Sequence, residues 1–288
     1  MLPAVVKLCC GISYPHLRSM AGLRHTAVAL LGQEMAHLQQ CGQVQQQDWI
    51  RHSGPHAGPT FKGPKREDAR AVSLKEEELL YVQQGREAMR KALGILGDKD
   101  GWKTEIGEEN GDVVYSKVVA GASKVFRLEA VLEASVEELY DILFVRVEEM
   151  HQWNPSIQHI KVLKHIGPET IVTHEVSAET AGNLIGQRDF LSVRHSCKHK
   201  SCIYLVGAAT QLEAFPPQKG FVRAKDGPTC LIIEAQEEDC SRSRFTWLLN
   251  MDVKGWVPKS IVNQALPRAQ LDFTRYLRRH LRAGATRG

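Results

Sequence analysis

Two charged residues lie in strand-like runs of apolar neighbours and could form a binding site. Glu175 lies in the run 172–176, and Arg194 directly follows the mostly apolar run 190–193. If a turn through residues 182–186 joins the two strands as a hairpin, the carboxylate and the guanidinium could face each other. A charge pair inside an apolar site is costly unless it is matched and hydrogen-bonded, but it would give an apolar ligand one polar anchor. From the residues alone, an exposed cross-strand ion pair is the commoner arrangement.

The sequence lacks the common motifs of catalysis and cofactor binding. It contains no G-x-S-x-G, Walker, G-x-G-x-x-G or H-E-x-x-H pattern. The near pairs of histidines, His195 with His199 and His52 with His56, have spacings that favour surface residues over metal ligands. Basic residues lack the interleaved aromatics of a nucleic-acid interface over most of the chain. We therefore predict a non-enzymatic module with no catalytic residues, no metal, no cofactor and no nucleic-acid partner.

The composition is that of a globular protein with free thiols. An apolar content of 43% in 288 residues can build a sizeable core. The seven cysteines are odd in number and scattered, with no C-x-x-C spacing. Apolar runs such as 27–31 are too short to span a bilayer, so we expect no transmembrane helix.

The chain divides by composition into four parts. No acidic residue precedes Glu34, and the basic, amphipathic start is typical of a mitochondrial presequence, although an ordinary basic helix fits these residues about equally well. The following stretch is rich in Gln, Gly and Pro, which predicts a flexible linker. The predicted parts are a presequence over 1–40, a linker over 41–72, a folded domain over 73–283 and a tail over 284–288.

The folded domain alternates helices with a long series of strands. Ser73 with Glu76, and Ser135 with Glu138, form capping boxes that open two helices. The first helix can end at Gly97, and the second stops before Trp153. This order predicts an α+β fold in which an antiparallel sheet is gripped by a terminal helix. The strand-like runs are 113–119, 124–132, 157–166, 170–178, 189–195, 202–208, 220–224, 229–234 and 244–252.

The terminal helix, predicted over 256–282, is amphipathic. Such a helix covers a core or settles on an anionic membrane surface, and a cover is the commoner role. Pro267 removes a backbone hydrogen bond in its interior and should bend the helix there. Either packing offsets this cost, or the helix consists of two shorter pieces. The apolar stripe is Val262, Leu266, Ala269, Phe273, Leu277 and Leu281, and the basic face is Lys259, Arg268, Arg275, Arg278, Arg279 and Arg282.

Essentially the whole chain resembles the START lipid-transfer family. The matching stretches include YVQQG at 81–85, KVFRLE at 124–129, WNP at 153–155, THEVSAET at 173–180, AGNLIGQRDFLSVR at 181–194, GPTC at 227–230 and KGWVPKSI at 254–261. The resemblance implies a helix-grip fold, a curved antiparallel sheet with a long C-terminal lid helix over an apolar tunnel. It also implies that Glu175 and Arg194 are the family's buried acid–arginine pair near the hydroxyl of a bound sterol.

The resemblance implies further site residues. The implied sterol-binding set adds Asn154, Thr229, Trp247, Phe273 and Leu277 to the charge pair. The implied membrane-contact set is Arg268, Arg275, Arg278 and Arg279. Ser53 and Ser201 occupy the family's phosphorylation positions, but each follows a weaker basic motif. The loop 211–218 resembles the family's lid loop but differs in most residues.

The resemblance implies that the protein carries lipid. We expect a monomer that binds one cholesterol or related sterol at the outer mitochondrial membrane surface and promotes its transfer to the inner membrane for steroid hormone synthesis. Two alternatives remain: a helix-grip enzyme acting on an apolar substrate in the cavity, and a ligand-sensing or scaffold module at the mitochondrial surface.

Overall fold

The structure is a computed structural model that describes residues 75–119, 124–179, 186–237 and 239–285. The predicted presequence and linker, Ser53, Ser73 and most of the predicted hairpin turn lie outside the described residues. The predicted domain boundaries therefore stay predictions.

The described residues largely follow the predicted order of helices and strands, but the single helix predicted to stop before Trp153 is divided into short pieces and ends at Trp153. The α-helices are α1 (Glu76–Gly97), α2 (Val136–Tyr140), α3 (Met150–Trp153) and α4 (Lys259–Ala285), and a π-helical turn (Asp141–Val145) and a 3₁₀ turn (Val147–Glu149) join α2 to α3. The strands are β1 (Lys103–Gly107), β2 (Val113–Val118), β3 (Lys124–Leu132), β4 (Ile157–Ile166), β5 (Thr170–Ser177), β6 (Arg188–His199), β7 (Cys202–Ala209), β8 (Val222–Arg223), β9 (Lys225–Asp226), β10 (Thr229–Gln236), β11 (Asp239–Leu249) and β12 (Met251–Asp252).

The sheet has the order β1-β2-β3-β11-β10-β7-β6-β5-β4, and each neighbouring pair in it is antiparallel. Strand β8 lies parallel to β6, and β9 pairs with β12 in a second, small sheet. This architecture confirms the predicted α+β fold with an antiparallel sheet and a terminal helix.

Three strand predictions were wrong in detail. Strand β1 was not identified because it is an edge strand with no buried side chain, so its sequence carries no apolar alternation. The run predicted over 220–224 contains only the two-residue strand β8, and β9 follows it at Lys225–Asp226. The run predicted over 244–252 is interrupted at Asn250, whose carbonyl accepts a hydrogen bond from the Gly227 amide in the neighbouring loop.

Both faces of the sheet are apolar, and each is covered by helices. On β11, Phe245, Trp247 and Leu249 belong to the large inner core beneath α2, α3 and α4, whereas Leu248 belongs to a smaller cluster on the face beneath α1. This alternation follows from the two-residue period of a strand. The inner face holds the candidate site.

Helix α1 packs closely against the outer face through small residues. Gly85, Ala88 and Ala92 are its buried residues. A Cβ added at Gly85 would lie 2.5 Å from the Cβ of His195, so only glycine allows this approach. The predicted capping box is displaced: the helix begins at Glu76, and the carboxylate of Glu78 accepts a hydrogen bond from the Lys75 amide at 2.9 Å. The cap predicted at Ser135 is present, since its hydroxyl accepts from the Glu138 amide at 3.1 Å.

Helix α4 is continuous through Pro267 and begins three residues later than predicted. Of the two alternatives for Pro267, the helix is not divided into two pieces, and the buried position of Pro267 agrees with a cost that packing offsets at least in part. Trp256 lies before the helix and is 72% exposed. Within the described ranges, no helix has both the length and the apolar character needed to cross a membrane.

Candidate ligand-binding site

Glu175 and Arg194 form a buried ion pair on the inner face of the sheet. In the register of β5 and β6, Glu175 lies opposite Phe190 and Arg194 opposite Ile171, so the pair is offset by four residues. The guanidinium reaches back along β5: its Nε donates to Oγ1 of Thr173 at 3.0 Å and its Nη2 donates to Oε2 of Glu175 at 2.8 Å. Glu175 is 1% exposed and Arg194 is 4% exposed. The pair is therefore buried and is not the exposed cross-strand pair that is commoner for such residues.

The surroundings of Glu175 leave its carboxyl group ready to contact a ligand. Burial raises its pKa to about 7, although the charge of Arg194 acts in the opposite direction. Asp226, also buried, raises the pKa further. The second carboxyl oxygen, Oε1, is buried and has no hydrogen-bond partner among the described residues. One oxygen of the carboxyl group thus holds Arg194, and the other can bond a hydroxyl, as acceptor when ionised and as donor when protonated.

A small cavity lies beside this pair. Its volume is about 10 Å³, room for roughly one water molecule, which is far below the ~300–1,000 Å³ typical of ligand pockets. Its wall is apolar apart from Arg194. The lining residues are Leu143, Phe144, Met150, Arg194, Leu205, Val206, Leu231 and Phe273.

Two of the seven sterol-binding residues predicted from the sequence line this cavity, Arg194 and Phe273. The other five are buried around it. Glu175 bonds Arg194, and the ring of Trp247 lies 5.1 Å from that of Phe273. Leu277 lies one turn beyond Phe273 on α4 and is fully buried. Asn154 and Thr229 are also fully buried, with the Asn154 side chain accepting from the Ser156 amide and the Thr229 hydroxyl donating to the Gly207 carbonyl.

Part of the cavity wall was not identified from the sequence. Thr173, which orients the guanidinium, was missed because a threonine in a strand carries no distinctive signal. Leu143 and Phe144 come from the π-helical turn after α2, and Met150 is the first residue of α3. The inward spacing of Leu139 and Leu143 pointed to a core helix, but only the π-helical turn at Asp141–Val145 places Leu143 and Phe144 on the cavity together.

The predicted membrane-contact arginines do not form one set. Arg268, Arg275 and Arg279 are exposed, although Arg275 bonds Asp272 at 2.6 Å. Arg278 is instead only 18% exposed and donates to both carboxyl oxygens of Asp112, at 2.5 and 2.6 Å, and to the carbonyl of Val131. The sequence grouping of Arg278 with a free basic face was therefore wrong, because helical spacing alone does not show which loop approaches the helix.

The middle of the loop 211–218 is held by contacts of Phe215 and of Pro216, whose carbonyl accepts a hydrogen bond from Arg223 at 3.3 Å. Phe215 packs on the ring of His174, with centroids 4.5 Å apart. Arg223 donates to the buried carboxylate of Asp189 at 2.8 and 3.0 Å, and Nε2 of His174 lies 3.1 Å from the same carboxylate. These hydrogen bonds hold the pKa of Asp189 below its usual value although burial acts to raise it. Ser201 is exposed in the turn between β6 and β7.

Comparison with known proteins identifies the class that this fold and site define. A family model described as START domain matches residues 82–286, and the chain belongs to the START domain family. The fold resembles that of human StAR-related lipid transfer protein 5, with a TM-score of 0.66 at 19% identity over 72% of this chain and 99% of that chain. It also resembles human STARD10, with a TM-score of 0.58 at 17% identity over 68% of this chain and 78% of that one.

The curated relatives are similar along their whole length. The sheep (Ovis aries) protein is 48% identical over 98% of this chain and 96% of its own, and the zebrafish (Danio rerio) protein is 44% identical over 99% and 97%. The Homo sapiens protein is 46% identical over 98% and 96%. Each is named steroidogenic acute regulatory protein, mitochondrial. The family resemblance that the sequence motifs carry is confirmed.

Proposed function

We propose that this protein binds one cholesterol or closely related sterol and promotes its transfer to the inner mitochondrial membrane for steroid hormone synthesis. The observation that carries the proposal is the buried Glu175–Arg194 pair beside an apolar cavity under α4. The full-length similarity to proteins named steroidogenic acute regulatory protein supports the same function.

The chemistry of the site matches a sterol, which is a large apolar body with one hydroxyl. Leu231, Phe273 and the other apolar wall residues would contact the rings. Oε1 of Glu175 would bond the hydroxyl, directly or through a water, while Arg194 and Thr173 hold the carboxyl group in place. Because the cavity is small, α4 or the loop 211–218 must move outward to admit the ligand.

We expect α4 to face the membrane during this movement. Arg268 and Arg279 are exposed and can interact with anionic lipid, at about 1 kcal/mol for each basic residue near such a surface. Trp256, 72% exposed between Lys254 and Lys259, is a second candidate contact, since tryptophan favours the membrane interface. In this proposal the partner is the surface of the outer mitochondrial membrane and the protein acts as a monomer after targeting by residues 1–40.

The site offers binding groups without an assembled catalytic set, so we propose that the protein breaks no covalent bond. The test is transfer of labelled cholesterol from donor vesicles to isolated mitochondria. We expect the protein to raise the rate of transfer and the formation of steroid, with the sterol recovered unchanged from the protein itself. Conversion of the bound sterol by the purified protein would identify an enzyme instead. Binding to mitochondria without sterol transfer would identify a scaffold or ligand sensor.

A further inference from the structure

The inner core contains a second pair of buried polar groups that the sterol anchor does not use. Trp247 on β11 and Gln270 on α4 are both fully buried. Nε2 of Gln270 donates to the backbone carbonyl of Trp247 at 3.0 Å, so the two residues are in contact. The indole Nε1 of Trp247 and the amide Oε1 of Gln270 have no hydrogen-bond partner in the part of the chain that the structure describes.

These two groups lie next to the cavity. Trp247 is directly opposite Leu231 in the β10–β11 ladder, and Leu231 lines the cavity. Gln270 is one helical turn before Phe273, which also lines the cavity and packs on the ring of Trp247. The unpartnered donor and acceptor therefore belong to side chains that flank the cavity wall between β11 and α4.

The pair lies at the far side of the cavity from the acid–arginine anchor. The sheet order places β10 and β7 between β11 and β6, so Trp247 is three strand spacings from the strand of Arg194. At ~4.8 Å for each spacing, this separation is roughly 14 Å. Arg194 thus lines the cavity on one side, and the Trp247–Gln270 pair lies behind the apolar wall residues Leu231 and Phe273 on the other, where a ligand that widens the cavity could reach it.

One indole N–H and one amide oxygen together complement a hydroxyl group, which both accepts and donates a hydrogen bond. A buried donor or acceptor without a partner is costly. A ligand that bonds to both groups therefore binds with a more favourable free energy than one that leaves them unpaired. We propose that Trp247 and Gln270 form a distal subsite that binds a second hydroxyl, and that the cavity favours sterols hydroxylated at the end of the side chain. This inference rests on the proposed function, since it requires the sterol's ring hydroxyl at Glu175.

The test compares equilibrium binding of three probes by the full chain: cholesterol, a cholesterol with a hydroxyl at the end of its side chain, and a cholesterol with an additional hydroxyl on its rings. We expect the side-chain-hydroxylated sterol to bind about tenfold more tightly than cholesterol, as two neutral hydrogen bonds to otherwise unpaired groups allow. We expect no such gain for the ring-hydroxylated sterol, whose added group would face the apolar wall.

Variants then assign the preference to its residues. Trp247→Phe removes the donor and Gln270→Leu removes the acceptor, and each is expected to abolish most of the tenfold preference. Phe245→Leu, a change in the same core cluster that removes no polar atom, is the matched control and should weaken both sterols equally. The comparison of the three probes on the wild-type chain needs no variant, so it tests the distal subsite even if a variant unfolds.

The outcomes separate this proposal from the one it rests on. Equal affinity of the wild-type chain for cholesterol and its side-chain-hydroxylated form, as a water-filled subsite would give, overturns the distal subsite and leaves the proposed function standing. The same follows if Trp247→Phe and Gln270→Leu weaken both sterols equally. Binding of none of the three probes overturns both proposals.

Discussion

At the scale of single residues, Arg194 is the position where a small change should have the largest effect. Its partner Glu175 is buried, so Arg194→Leu leaves a carboxyl group without its counter-charge. We expect a loss of about 3–5 kcal/mol in the free energy of unfolding, measured by urea denaturation, together with weaker sterol binding. Arg268→Leu, at an exposed position, is the control and should stay within about 0.5 kcal/mol of wild type. A wild-type unfolding curve for Arg194→Leu would contradict the buried pair.

Glu175 should also make stability depend on pH. Its folded-state pKa of about 7 lies above the ordinary value of 4.5, so the folded state binds the proton more tightly than the unfolded state. The resulting stabilisation is fully present below pH 4.5 and is lost as pH rises through 7. Glu175→Gln cannot titrate, so its free energy of unfolding should improve relative to wild type across this window. Urea denaturation at stepped pH measures the difference, and a difference that stays constant would argue against the shifted pKa.

At the scale of elements, Pro267 should limit the stability of α4. The residue lies inside the helix and removes the hydrogen bond to the carbonyl of Asn263. Pro267→Ala should therefore raise the melting temperature. The gain in stability is at most about 3 kcal/mol and is reduced by the loss of the buried proline ring. It should also slow amide exchange over 260–281 and slow sterol release to anionic vesicles. Unchanged exchange and release would show that α4 is a static wall and that the ligand leaves elsewhere.

The arginines of α4 should separate into two classes. Arg278→Gln is expected to reduce stability by about 1.5–3 kcal/mol, because Asp112, 2% exposed, loses a charged partner. Arg268→Gln with Arg279→Gln should leave the melting temperature unchanged and weaken binding to anionic vesicles by about 1 kcal/mol for each charge. Thermal melts measure the stability of each variant, and vesicle sedimentation measures its membrane binding. Vesicle binding that is independent of anionic lipid would remove the basic face from the membrane proposal.

At the scale of the whole molecule, the N-terminal region and the folded domain should have separable roles. Residues 1–47 fused to a reporter should direct it to mitochondria, because the region is basic and has Glu34 as its first acid. A protein starting at Phe61 should still bind sterol. Imaging of the fusion and a binding assay on the shortened protein are the measurements. A cytosolic reporter would refute the targeting role, and loss of binding would place the linker within the fold.

The local features of this protein were determined by its sequence. Strands β3 and β4 have the predicted bounds because alternation and turn residues are read over a few neighbouring positions. Ser135 caps α2 as predicted, since a cap depends on residues three apart. The stripe of α4 through Leu266, Phe273 and Leu277 is buried as its spacing indicates.

Only the tertiary structure decided the features that depend on distant parts of the chain. Burial of the Glu175–Arg194 pair required the sheet and its covering helices together, whereas the residues alone favoured an exposed pair. Arg278 is not part of the exposed basic face, because Asp112, in the loop before β2, approaches that turn of α4 and pairs with it. Helical spacing places a side chain on a face, but which group meets that face depends on contacts far apart in sequence, and these contacts set the charge and the burial of the site.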